Sequence, residues 1–179
     1  EVSAMNITVY LGSTSGNHPD YARYADEIGT LIGAAGHTLV YGGADGGTMG
    51  ILAHAVKEAC GKVIGVIPEF FLFRVNPDLD ETYVVKTMAE RRTKMIELGE
   101  AFLALPGGPG TIEEISEIIS ALRIGLFSCP CVIFSPNGYY RDLEHMYDRM
   151  VEEGFLKEEE RALFRFESTP EDAIKALGM

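Results

Sequence analysis

Short apolar runs alternate with stretches of helical period along almost the whole chain, and few architectures accept such a pattern. Short runs buried on both faces suit the inner strands of a parallel sheet, with the intervening helices as crossovers. Asn6–Leu11, Thr38–Tyr41, Val63–Ile67, Thr82–Val85, Ala101–Leu105 and Cys131–Phe134 read as strands. Between the first two, Pro19–Ala35 places Tyr21, Tyr24, Ala25, Ile28, Leu31, Ile32 and Ala35 on one helical face, and Gly36 is placed to cap it. Met49–Ala59, Met88–Leu98, Thr111–Leu126 and Tyr139–Glu153 read as further helices, and Leu163–Leu177 as a last strand and helix. Residues 69–81 have no period and read as irregular. No linker or repeat divides the series, so the expected fold is α/β, a doubly wound parallel sheet in a single domain over residues 1–179. Glu1–Ala4, ahead of Met5, read as an added leader.

Charge narrows the partners. The 27 acidic residues outnumber the 15 basic ones and leave a net charge of −12. Such a surface repels phosphodiester backbones and anionic lipid headgroups, so neither nucleic acid nor a membrane is an expected partner. No apolar run approaches the roughly 18 residues of a spanning helix. The first strand starts too near the N-terminus for a signal peptide, which points to a cytoplasmic protein. Cys60, Cys129 and Cys131 are odd in number, which argues against a disulfide framework, and the four histidines lack zinc-ligand spacing. Cys129 and Cys131 read as small hydrophobes at the start of a strand.

Glycine is the residue in excess, 20 of 179. Much of that excess lies in three strand-to-helix junctions: 12–16 (GSTSG), 42–50 (GGADGGTMG) and 106–111 (PGGPGT). In a parallel sheet all three fall at the carboxyl edge of the strands, where ligands bind, so they should converge on one crevice. Glycine lets a ligand approach the backbone closely, and exposed N–H groups at a helix start attract anions, so a phosphate is the natural guest. No G-x-x-x-x-G-K-[ST] is present, since Gly61-Lys62 runs into Val63, and Gly42–Gly47 does not spell the dinucleotide fingerprint. A mononucleotide or sugar phosphate remains.

The third junction leads into Thr111-Ile112-Glu113-Glu114. Thr-x-x-Glu is a capping box, in which Glu114 would reach back to the Thr111 N–H. Alternatively, a carboxylate beside a bound sugar phosphate can stabilise the oxocarbenium-like centre of glycoside cleavage or position water. Met88–Lys94 carries the dense positive charge of the central third. Arg91 and Arg92 point about 100° apart on a helix, so at most one should face inward, where a permanently charged guanidinium orients ligand.

Tyr41–Gly50 (YGGADGGTMG), Met88–Arg92 (MAERR) and Pro106–Glu114 (PGGPGTIEE) together resemble, in order and spacing, the Lonely Guy (LOG) family of cytokinin riboside 5′-monophosphate phosphoribohydrolases, long labelled possible lysine decarboxylases. The likeness runs from Val9–Ser13 to Met150–Phe155. It implies a Rossmann-like nucleotide-binding homodimer, with the apolar face of Ile112, Ile115, Ile118, Ile119 and Leu122 something for the partner to pack on. It implies hydrolysis of the N-glycosidic bond of an N6-modified AMP to free base and ribose 5-phosphate, for cytokinin activation or nucleotide salvage, with no metal or organic cofactor. Arg91 and Glu114 fall on the family's catalytic positions. Gly108–Thr111 with Glu113 and Arg92 fall on its nucleotide-binding positions, and Gly12, Ser13, Gly42, Gly43 and Gly107 join them as expected phosphate-loop residues. Ala89, Arg92, Pro109, Ser120 and Ala121 depart from the family pattern, which leaves the preferred base open. Two other readings stand beside this one. Molybdenum-cofactor carrier proteins resemble the same fold and loops, and a pyridoxal-phosphate decarboxylase would need a Schiff-base lysine, for which Lys62, Lys86 and Lys94 are the available amines.

Overall fold

The structure is a computed structural model that describes residues 3–179. Part of the expected leader, residues 1 and 2, lies outside the described residues. Seven strands form one sheet: β1 (Asn6–Tyr10), β2 (Thr38–Tyr41), β3 (Lys62–Pro68), β4 (Glu81–Val85), β5 (Ala101–Ala104), β6 (Cys131–Phe134) and β7 (Arg165–Glu167). They run parallel in the order β4-β3-β2-β1-β5-β6-β7. The chain therefore winds one way from β1 to β4, then returns to the other side of β1. Between β1 and β5 the following connections leave on opposite faces, which opens a crevice at the carboxyl ends of these two strands.

Beyond their first residues the inner strands are buried because helices cover both faces. On one face lie α1 (Asp20–Ala34), α2 (Gly47–Glu58) and α7 (Pro170–Ala176), packed on Ile7, Val9, Leu39, Leu103 and Val132. On the other lie α3 (Met88–Leu98), α4 (Pro109–Arg123) and α5 (Arg141–Glu152), packed on Tyr10, Val40, Val66, Phe102 and Ile133. A short α6 (Glu158–Arg161) precedes β7. Helices α1 and α2 touch backbone to backbone. A Cβ on Gly29 would sit 2.6 Å from the Leu52 carbonyl oxygen and 2.8 Å from the Ala55 Cβ, so glycine sets their spacing. No helix among the described residues is long and apolar enough to cross a membrane.

Three expectations change. Residues 69–74, which have no period, form a 3₁₀ turn that buries none of its side chains, so no repeating apolar face marked it. Helix α4 starts at Pro109, with Gly108 as N-cap, two residues before the expected start, because proline suits the first helical position. Thr111 is consequently inside the helix and its N–H already bonds to the Gly108 carbonyl at 3.1 Å, so the capping box with Glu114 does not form. The apolar face of α4 also finds its partner within the chain. Ile115, Ile118, Ile119 and Leu122 are buried against the sheet, with Ile112 packed partly against them, so this face is no reason for a dimer.

Candidate active site

The three glycine junctions meet as expected, and they meet through their backbones. The Gly12 N–H donates to the Pro106 carbonyl at 3.2 Å, and a Cβ on Gly12 would come 3.4 Å from the Gly107 Cα. The Thr48 hydroxyl donates to the Gly12 carbonyl at 3.0 Å. Gly47 holds φ +60, and a Cβ there would lie 2.8 Å from the Thr14 Cα. The tyrosines after β6 pin the third junction from behind: the Tyr139 hydroxyl donates to the Gly107 carbonyl at 2.6 Å and Tyr140 to the Leu105 carbonyl at 2.7 Å.

Together the junctions enclose a cavity of about 270 Å³ above β1, β2 and β5. Gly12, Ser13, Gly42, Gly108, Gly110 and Thr111 line it, and so do both residues expected to carry chemistry, Arg91 and Glu114. Gly107 lines an adjoining polar cavity with Ser15, Asn17, Tyr21 and Tyr139. Gly43 does not line the cavity: it takes φ +77 and packs on Ile67 and Gly65. Arg92 and Glu113 do not line it either. They pair with each other at 3.3 Å, and Arg92 also holds Glu117 at 3.1 Å, on the outer side of α3 and α4.

Arg91 is the inward-facing arginine, only 8% exposed. Its Nε donates to the Val66 carbonyl of β3 at 2.9 Å and its Nη2 to the Gly42 carbonyl at 2.7 Å. These bonds compensate much of the cost of burying the charge and leave Nη1 without a partner among the described residues. Desolvation lowers the guanidinium pKa from its ordinary value, and the Glu114 carboxylate opposes that shift. Gly42 is what makes room for it, since a Cβ at that position would collide with Nη2.

Glu114 lies on the second turn of α4, aimed past the junctions into the cavity. Burial pushes its carboxyl up to about 7; the nearby Arg91 charge pulls it down and Glu113 adds to the rise. A carboxyl poised there exchanges protons near neutral pH, as a general base or acid must.

The glycines fall into two classes. A Cβ on Gly42 or Gly107 would press on other parts of the protein, whereas one on Gly108 or Gly110 would meet nothing within 4 Å. Packing explains the first group and leaves the second unexplained.

The apolar wall was not foreseen. Met49, Ile67, Phe71 and Met88 line the cavity, with Arg74 at its edge. Met49 and Met88 stand within the motifs that carry the family resemblance but have no expected role there, and Phe71 and Arg74 belong to the 3₁₀ turn. No lysine lines the cavity, and Lys62 is paired with Glu81 across β3 and β4. Among the described residues no group of three or more His, Cys, Asp or Glu is arranged to hold a metal ion.

Solved structures of the same shape include the molybdenum cofactor binding protein of Rippkaea orientalis, at a TM-score of 0.77 with 20% identity over 99% of this chain and 98% of that one. The molybdenum cofactor carrier protein of Chlamydomonas reinhardtii gives 0.76 with 22% identity over 98% and 97%. At such identities the likeness is one of fold. Sequence relatives are closer. A cytokinin riboside 5′-monophosphate phosphoribohydrolase of Rhodococcoides fascians is 41% identical over 84% of this chain and 78% of its own length. One from Arabidopsis thaliana is 35% identical over 96% and 81%. Residues 49–177 match the family described as "Possible lysine decarboxylase". With that match over most of its length and relatives of this identity, the chain belongs to the "possible lysine decarboxylase" family, that of the LOG proteins.

Proposed function

We propose that the protein is a nucleoside 5′-monophosphate phosphoribohydrolase, which cleaves the N-glycosidic bond of AMP or an N6-modified AMP to free base and ribose 5-phosphate. The observation that carries this reading is the buried carboxyl of Glu114, which burial pushes up to about 7, on a cavity that it shares with the buried Arg91. The names of the sequence relatives support it. The exposed N–H groups of Gly108 and Gly110 receive the 5′-phosphate, and the open space above both glycines suits a ligand lying on the backbone. Met49, Ile67, Phe71 and Met88 offer an apolar surface for a base.

In the reaction the C1′–N bond lengthens and positive charge develops on the ribose, which the ionised Glu114 stabilises. Water adds its oxygen to C1′, and its proton passes by way of Glu114 to the departing base nitrogen. The bond electrons leave with the base, so one water is consumed and no redox partner is needed. Arg91 stays protonated and orients the ligand through Nη1. Among the described residues no lysine lines the cavity, so the pyridoxal-phosphate decarboxylase reading lacks a Schiff-base residue there. A cofactor carrier is the second reading, favoured by the likeness of fold to the molybdenum-cofactor proteins. The family resemblance also carries a homodimer, which light scattering of the purified protein tests.

Incubation with AMP, N6-isopentenyl-AMP and the other nucleoside monophosphates, followed by chromatography of the products, separates the two readings. Free base with ribose 5-phosphate is expected. Tight binding without cleavage of any of them would favour the carrier.

A further inference from the structure

The charged groups that line the cavity are Arg91, Glu114 and Arg74. Arg91 is committed, with two nitrogens on backbone carbonyls and its charge set against Glu114. A nucleoside monophosphate brings a phosphate dianion into a protein of net charge −12. Backbone N–H groups supply hydrogen bonds to that dianion and no full positive charge.

Arg74 is placed to supply it. Among the described residues its guanidinium has no hydrogen-bond or ion-pair partner, and it lies over the Phe73 ring, 5.6 Å from the ring centroid. Its backbone, by contrast, is tied down. The Arg74 carbonyl accepts from the Asp45 N–H at 3.0 Å, and Val75 forms an antiparallel bridge with Ala44. The buried Asn76 donates its N–H to the Gly43 carbonyl at 2.9 Å and its Nδ2 to the Tyr41 hydroxyl at 3.2 Å, which in turn donates to the Ala44 carbonyl at 2.9 Å. A turn that buries none of its own side chains is thus fastened to the loop that also grips Arg91. Arg74 and Ser13 together border both the main cavity and a shallower one beside Thr14 and Gly46. That arrangement puts Arg74 on the same cavity as the phosphate loops, with the apolar wall left to the base.

We propose that Arg74 is a specificity-determining residue that reads the 5′-phosphate, so that the cavity takes nucleoside monophosphates and refuses nucleosides. This rests on the reading of the cavity as a nucleotide site. The test is calorimetric titration of the parent, Arg74→Ala and Arg74→Lys with AMP, adenosine and ribose 5-phosphate, at low and moderate salt, alongside turnover of AMP. Loss of one charge-assisted contact should weaken AMP and ribose 5-phosphate by about ten- to a hundredfold in Arg74→Ala. Adenosine should bind the parent and Arg74→Ala equally weakly, Arg74→Lys should recover most of the loss, and the salt dependence of AMP binding should flatten in Arg74→Ala. Unchanged AMP affinity in Arg74→Ala, or equal losses for AMP and adenosine, would overturn the proposal. So would a parent that binds adenosine as well as AMP. If AMP is bound with this pattern and never cleaved, the role of Arg74 stands and the hydrolase reading fails. If AMP is cleaved and Arg74→Ala matches the parent, the reverse holds.

Discussion

Glu114 is the residue on which chemistry and stability pull in opposite directions. Its carboxyl has an ordinary value of 4.5 and stands at about 7 in the folded chain. Between those values the folded protein holds a proton that the unfolded chain has lost, so this group makes stability fall as pH rises from about 4.5 to about 7, and the loss is complete above that. Glu114→Gln cannot ionise. It should therefore melt like the parent below pH 4.5 and be the more stable protein at pH 8, by about 1 to 3 kcal/mol, in thermal denaturation at both pH values. If the ionised form is the working one, kcat/KM of the parent should rise with pH through about 7 and then level. Glycines at this scale divide by experiment. Gly110→Ala lies inside α4, where alanine is the better helix former, so it should raise stability by up to about 1 kcal/mol while weakening AMP binding. Gly42→Ala should displace the Arg91 guanidinium and lower turnover by about a hundredfold, read as kcat for AMP. The family resemblance put Arg91 and Glu114 in one site and both line the cavity, whereas helical spacing alone left open which of Arg91 and Arg92 faces inward. Neither could tell that Gly42 makes space for a side chain, since a glycine required by a neighbour looks the same as one required by a ligand.

Among the elements, α1 and α2 depend on the glycines between them. Gly29→Ala would force the Leu52 carbonyl and the Ala55 methyl group away, and should cost roughly 1–3 kcal/mol in urea denaturation with little change in AMP binding. Strands β1, β2, β3, β5 and β6 and the helices between them were legible because burial on two faces and amphipathic spacing are local properties of the sequence. The ends of α4 were less so. Its start depends on Pro109 at the first helical position, and its end on Gly125 at φ +71, whose N–H bonds to the Leu122 carbonyl while the Leu126 N–H bonds to Ala121. The Glu69–Arg74 turn escaped notice because it is fixed by main-chain bonds to a loop about 30 residues away in sequence, a distance at which periodicity carries no information.

At the scale of the whole molecule, one topological fact places the site. The reversal of winding between β1 and β5 brings the junctions after β1, β2 and β5 to one edge, where a parallel sheet leaves its backbone ends unpaired. The sequence implied convergence without fixing the strand order, which is a property of long-range pairing. It did not disclose which side of each loop faces the cavity, so Arg92 and Glu113 were grouped with the ligand when they hold each other on the outer surface. The charge of −12 predicts that a gel-shift titration with duplex DNA at physiological salt shows no complex.

The most direct test of the account is the release of base from AMP by the parent and by Glu114→Gln under single-turnover conditions, with AMP affinity measured on both. The parent should release adenine and ribose 5-phosphate, and the variant should bind AMP within about threefold of the parent while losing at least about a thousandfold in rate. A variant that cleaves AMP as fast as the parent, or a parent that releases adenosine and phosphate instead, would contradict the account.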